Sequence, residues 1–364
     1  MKVARLVLAD GSEFRGRSIG ADGHADGEVV FNTSMTGYQE MLTDPSYAGQ
    51  VLVLTYPMIG NYGMDALVEE SARIQPTALV VREAASFASH PRSSVLLADY
   101  LRKRGIIGID GVDTRAITRR IRRQGVMPGT VTTDDSLDEA RERLSLLPDY
   151  DEINWVSLVT ANSRSDWPMT AQTRFRVALL DGGVKRNIMR SLSRRGCAIT
   201  IFPADTEASQ ILKTEPDGIV LSPGPGDPRL LGSMVDEAQK LIGRKPILGI
   251  CLGHQIAARA LGAGTFKLPF GHRGGNHPVR DVESGKVTIT AQNHGYAVDP
   301  DGLSSNVSVS HVNLNDGTVE GLRLADKLLL TIQYHSEACP GPLDSDGIFD
   351  RFVSMMDTST GGTA

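Results

Sequence analysis

A single cysteine stands between two glycines in Gly249-Ile250-Cys251-Leu252-Gly253-His254-Gln255, directly after the apolar run Pro246-Ile247-Leu248. Gly-x-Cys-x-Gly does for a thiol what Gly-x-Ser-x-Gly does for a hydroxyl. The small flanking residues allow a tight, strained strand-to-helix turn that lifts the nucleophile clear of the sheet. The glycines show no packing purpose of their own in the sequence. A helix over about 253–261 would aim its first N–H groups at the sulfur, which favours thiolate over thiol. The Leu252 N–H, next after the nucleophile, is placed to help bind a developing oxyanion. Nucleophile chemistry also needs a base and a group to orient it, and Gln333-Tyr334-His335-Ser336-Glu337 offers both. Lys327 to Ile332 reads as a buried strand, with His335 and Glu337 just past its end. Their i, i+2 spacing sends both side chains to one side.

The remaining cysteines and most histidines carry no such pattern. Cys197 and Cys339 read as small buried hydrophobes, and His24, His90, His272, His277 and His311 as structural residues. Two further segments could face a ligand. Leu221-Ser222-Pro223-Gly224-Pro225-Gly226 follows a buried strand, and its stiff loop could hold a carboxylate or complete an oxyanion hole. The same composition also marks ordinary turns. Gln292-Asn293-His294-Gly295-Tyr296 ends another expected strand and offers an amide side chain to a small polar substrate. Neither phosphate-binding glycine pattern occurs, and no clustered ligand spacing suggests a metal, so no nucleotide or metal site is expected in this chain.

The elements that must position these residues fall into two parts. With 364 residues, 40% hydrophobic and 22% charged, the chain is long enough for two globular domains. The net charge of −5 and the lack of a long basic run argue against nucleic acid. No apolar run reaches membrane-spanning length, and the first residues are too soon interrupted by charge for a signal peptide. Three cysteines fit a reducing, cytoplasmic setting. Residues 1–150 open with a hairpin, Lys2 to Leu8 and Glu13 to Arg15 around Asp10-Gly11, and continue as mixed strands and helices. Asn32 to Tyr47 looks like a long polar loop, short of core formers and able to serve as a functional surface. Residues 151–174 read as a linker. In 175–357 strands alternate with helices, which implies an α/β fold with a mostly parallel sheet covered on both faces. Strands dominate after Gly262, a terminal amphipathic helix follows, and 358–364 read as a disordered tail. In such a sheet, functional groups collect beyond the carboxyl ends of the strands, which would bring His335 to Cys251.

With these residues in hand, the chain resembles the small, glutamine-hydrolysing subunit of carbamoyl-phosphate synthase. The Cys251 corner, the Gly-Pro-Gly loop and the His-x-Glu pair resemble a class I (triad) glutamine amidotransferase. The narrower likeness lies in Phe31 to Glu40, Leu42 to Tyr47 and Leu54 to Asn61, with Gly271 to Pro278 and Ala291 to Asp299. The resemblance implies Cys251 as nucleophile, His335 as general acid and base, and Glu337 as its orienter. It implies L-glutamine held by Ser46, Gly224, Gly226, Leu252, Gln255, Asn293, Gly295 and Tyr296. It also implies a large synthetase partner carrying ATP and divalent metal, an enclosed path for ammonia, no cofactor in this chain, and a product serving arginine or pyrimidine synthesis. The chain departs from the family in having Ser336 where proline is usual and Cys339 where serine is common. Two rival readings are an amidotransferase serving another synthase, against which the N-terminal domain argues, and a catalytically idle subunit, against which the intact Cys251, His335 and Glu337 argue.

Overall fold

The computed structural model describes residues 2–169 and 172–360, and the chain divides into two compact units, residues 1–153 and 154–364. In the first unit the expected hairpin forms from Val3–Leu8 and Glu13–Ser18 in antiparallel register. Its sheet goes on to close into a barrel with Ile107–Asp110, Ala78–Val80, Gln50–Leu54, His24–Asn32 and Met127–Thr132. Closure leaves no strand edge unpaired. The segment read as a polar loop turns out to be core. It contains the helix Tyr38–Thr43 and the 3-10 turn Pro45–Tyr47, and Tyr38, Met41, Leu42 and Tyr47 are buried in one apolar cluster. Hydroxyl and turn residues between those positions mask the apolar spacing in the sequence. The helix Leu137–Ser145 begins with the capping box that Ser136 and Glu139 announce.

The second unit is built on a ten-stranded sheet. Cys197–Pro203, Phe175–Asp181, Gly218–Leu221, Ile247–Ile250 and Leu329–Ile332 lie side by side and parallel. Alternate strand residues point to opposite layers. Val177, Leu179, Val220, Leu248 and Ile332 pack against the helices Arg186–Arg194 and Gly347–Thr360. Ala178, Leu180, Ile219, Leu221 and Ile247 pack against Ala208–Leu212, Gly232–Leu241 and Leu252–Ala260. Full burial of each Leu or Ile side chain stabilises this three-layer stack by roughly 1.5–3 kcal/mol.

Beyond Leu329–Ile332 the sheet becomes antiparallel, through Val319–Leu324, Val287–Asp299, Gly264–Asp281 and Ser308–Asn313. Gly264–Asp281 has 18 residues and Val287–Asp299 has 13, both far longer than the short strands expected from the sequence. Their glycines and polar residues read locally as strand ends, but the cross-strand pairing resumes after two register shifts, Lys267/His272 and Gly274/His277, and carries the ribbon past them. Residues 151–174, expected as a linker, include the helix Val156–Val159 and the edge strand Ser165–Asp166, which pairs with Thr200 and Ile201. A two-residue edge strand is too short to leave a period in the sequence. The terminal helix takes in 358–360 of the expected tail, and 361–364 lie outside the described residues. Among the described residues, no helix is long and apolar enough to cross a membrane.

Candidate active site

Ile247–Ile250 lies in the middle of the parallel strands, between Gly218–Leu221 and Leu329–Ile332. Cys251 follows it at φ 52° and ψ −105°, a backbone conformation that side chains rarely adopt. Strain of this kind costs on the order of 1–3 kcal/mol and marks functional corners. The corner is held by the Cys251 N–H donating to Ile332 O at 2.8 Å and by Cys251 O accepting from His254 N and Gln255 N. The flanking glycines do have a packing purpose, contrary to the sequence reading. A Cβ on Gly253 would sit 2.0 Å from Leu221 O, and one on Gly249 would sit 2.7 Å from Gly253 O. Absent side chains therefore let the helix start directly against the strands. His254 braces that start from the other side: Nδ1 lies 2.8 Å from Thr331 Oγ1, and burial, with His311 adding, pushes the ring down to a pKa of about 3.

His335 sits in the bend after Leu329–Ile332, fixed by its N–H to Ala291 O at 2.8 Å. Its Nδ1 donates to Glu337 Oε1 at 2.7 Å. That assigns Nδ1–H to the carboxylate and leaves Nε2, which is buried and without a hydrogen-bond partner among the described residues, for chemistry. Burial works against a charged ring here. The Glu337 carboxylate and the neighbouring Cys251 sulfur outweigh it and push His335 up to about 10. Burial likewise pushes Glu337 up, but Lys185 and His335 outweigh it and bring it down to about 2.

Lys185 escaped the sequence reading. It is 2% exposed, lies 3.1 Å from Glu337 Oε1 and donates from Nζ to Ala338 O at 2.6 Å. Asn187 Nδ2 donates to Glu337 O. The one available signal was position: a lysine four residues past the end of a core strand, where polar groups gather in parallel sheets.

The Ser222–Gly226 loop stands beside the corner. Gly182 N donates to Ser222 Oγ at 2.8 Å, and a Cβ on Gly224 would sit 2.2 Å from Gly182 O and 2.7 Å from the Leu252 side chain. Only a glycine brings this loop so near the first residue of the helix. Asn293, Gly295 and Tyr296 lie within Val287–Asp299 rather than past its end. Cys251 Sγ lies 3.7 Å from Asn293 O, its acceptor, and Gln255 Nε2 donates to Tyr296 O at 2.9 Å. The second unit thus brings together Cys251, Leu252, Gln255, Asn293 and Tyr296 by contact, with Gly224 against Leu252, and His335 with Glu337. Gly226 and Gly295 follow in the same loop and strand. Ser46 belongs to the other unit, where its N–H donates to Asp44 Oδ1 at 2.9 Å and its buried Oγ has no hydrogen-bond partner among the described residues.

Behind Asn293 lies a polar network that the sequence did not announce. Glu320 is fully buried and accepts from Asn313 Nδ2 at 2.8 Å and Gln292 Nε2 at 2.9 Å. His294 stands between Gln292 Oε1 and Tyr296 O, at 3.0 and 2.7 Å, and burial, with His272 adding, holds its pKa well below the usual range. His272 meets Asp316 at 2.8 Å; burial opposes its charge, but Glu320 and Asp316 raise its pKa. His272, His294 and Glu320 each bring one ligand atom within 4.8 Å of the others, a grouping that sequence spacing hid because three strands supply it. Each of the three also takes part in the hydrogen bonds of this network.

Residues 6–131 match the family described as carbamoyl-phosphate synthase small chain, CPSase domain, and residues 178–355 match glutamine amidotransferase class-I. The carbamoyl phosphate synthase small chain of Nostoc sp. is 48% identical over 378 residues, covering 99% of this chain and 97% of that one. The corresponding chain of Staphylococcus epidermidis is 47% identical, covering 96% and 95%. The chloroplastic small chain of Oryza sativa subsp. japonica is 46% identical, covering 97% of this chain and 82% of that one.

Proposed function

This chain belongs to the carbamoyl-phosphate synthase small-chain family, and from that premise we propose Cys251, His335 and Glu337 as the triad of its glutaminase reaction. It is the glutamine-hydrolysing subunit, with glutamine as substrate and a large synthetase subunit as partner. The observation that carries the triad is the 2.7 Å hydrogen bond from His335 Nδ1 to Glu337, which turns Nε2 to chemistry beside a cysteine on a strained corner.

Cys251 attacks the side-chain carbonyl carbon of glutamine as thiolate, with the imidazolium of His335 beside it. The carbonyl electrons move to oxygen, where the Leu252 N–H and the Gly224 loop supply donors. Collapse expels the amide nitrogen, which takes the His335 proton and leaves as ammonia, with a glutamyl thioester on Cys251. Acylation removes the charge of the sulfur, one of the causes that hold the His335 pKa up. The ring, neutral once its proton has gone to ammonia, then takes a proton from water, whose oxygen attacks the thioester to release glutamate and restore the Cys251 sulfur. Glu337 holds the tautomer throughout, and Lys185 keeps Glu337 ionised.

Gly224, Gly226, Gln255, Asn293, Gly295 and Tyr296 form the proposed glutamine site with Leu252, and Ser46 enters that set on the resemblance alone. In water, free ammonia becomes the non-nucleophilic ammonium ion. An enclosed passage to the partner, with ATP and divalent metal bound there and no cofactor here, completes the proposal. Its test is covalent. A glutamine-like alkylating agent should label Cys251, and glutamine should protect it. Cys197, whose thiol burial pushes up to about 12, and the half-buried Cys339 should stay unlabelled over the same time. Mass spectrometry that finds the label first on either of those sinks the assignment.

A further inference from the structure

One polar side chain at the site has an assignable orientation and a supporting residue that the mechanism does not use. Gln255 lies one turn after Cys251, with its N–H on Cys251 O at 3.2 Å, and it is 3% exposed. Its amide nitrogen donates twice, to Tyr296 O at 2.9 Å and to Gln333 Oε1 at 3.1 Å. Both partners are acceptors, so the amide can sit only one way round. A flipped Gln255 would set its own oxygen against two oxygens in a buried place. With both N–H groups spent on the protein, what Gln255 keeps for a ligand is its carbonyl Oε1. An acceptor alone recognises a donor, and on a free amino acid the strong donor is the α-ammonium group.

Gln333 is completely buried, and its backbone N–H is tied to Glu320 O at 2.8 Å. Its Nε2 is buried without a hydrogen-bond partner among the described residues, so its Oε1 is the end that the surroundings use. The residue also lies two positions before His335 on the same segment. We propose that Gln333 is a positioning residue for substrate recognition: it locks the Gln255 amide with Oε1 toward the ligand and so selects for the α-ammonium of glutamine. This rests on the reading of Gln255 as part of the glutamine site.

The test compares two substrates on the holoenzyme, glutamine and its analogue lacking the α-amino group, 4-carboxybutanamide. Gln333→Met keeps the volume and removes the acceptor. The KM for glutamine should rise about tenfold, the scale of one hydrogen bond to a charged group, with kcat changed less than about threefold. The KM for the deaminated analogue should stay within about twofold, because that substrate never used the oriented oxygen. Gln333→Glu retains an oxygen toward Gln255 and should restore most of the glutamine KM. Synthesis from free ammonia should be unchanged in both variants. An equal rise in KM for both substrates, or no rise for glutamine in folded Gln333→Met, overturns the positioning role. Labelling of Cys251 by the alkylating agent does not depend on Gln333, so failure to label takes down the site itself, whereas parallel KM changes take down only the role of Gln333.

Discussion

The parallel and antiparallel halves of the second unit's sheet do different work with different means. On the parallel side, Cys251, His335, Glu337 and Lys185 lie in loops past strand ends, where main-chain geometry and buried charge pairs hold them. On the antiparallel side, Asn293, Gly295 and Tyr296 lie inside a long strand, where His294 Nδ1 meets Tyr296 O and the flanking Gln292 donates to buried Glu320. A loop past a strand end frees a side chain to approach a reacting atom from a chosen direction. A strand in mid-sheet fixes main-chain donors and acceptors in a regular row, which suits recognition of an unreacting part of the substrate. The difference teaches that damage on the first side should appear in kcat and damage on the second in KM.

Three substitutions test that division. Cys251→Ser should lower glutamine-dependent synthesis by at least ~10³-fold while synthesis from free ammonia continues, since the nucleophile acts as one unit with its base. Glutaminase activity surviving at near wild-type rate would break the comparison at its root. Glu337→Gln should lower kcat by ~10²–10⁴-fold with KM little changed, by analogy with loss of the orienting carboxylate in other triads. It should also move the alkaline limb of single-turnover ammonia release to lower pH. The carboxylate raises the His335 pKa toward about 10, and without it the ring loses its proton at a lower pH. A limb that stays in place would show that Glu337 does not set the charge of His335. The smallest effect belongs to Glu320→Gln, which keeps one acceptor of two and should raise the KM for glutamine about threefold to tenfold with kcat nearly intact. A fall in kcat instead would show that the antiparallel half takes part in the chemistry.

Pattern and spacing made the parallel half legible. Strands there are continuous apolar runs separated by helices, and a nucleophile corner needs a local sequence that nothing else requires. The antiparallel half was hard to read for the opposite reason. Gly271 to Pro278 and Gln292 to Tyr296 carry the polar and glycine residues of the site, so local pattern ends the strands where the pairing in fact continues. The apolar positions of Tyr38 to Tyr47 were missed in the same way, among hydroxyls and turn residues that mark the surface elsewhere.

The sequence by itself determined the family, the α/β layering of the second unit, and the pairing of a cysteine corner with a His-x-Glu segment more than eighty residues away. Each of these is written in short windows, as a period, a spacing or a motif. The closed barrel, the extended ribbon, the Lys185 clamp on Glu337, and the Glu320 and Gln333 supports were decided only by tertiary structure. Buried polar groups must find partners wherever the fold delivers them. Residues from distant strands meet for that reason alone, and no local signal in the chain records which will face which.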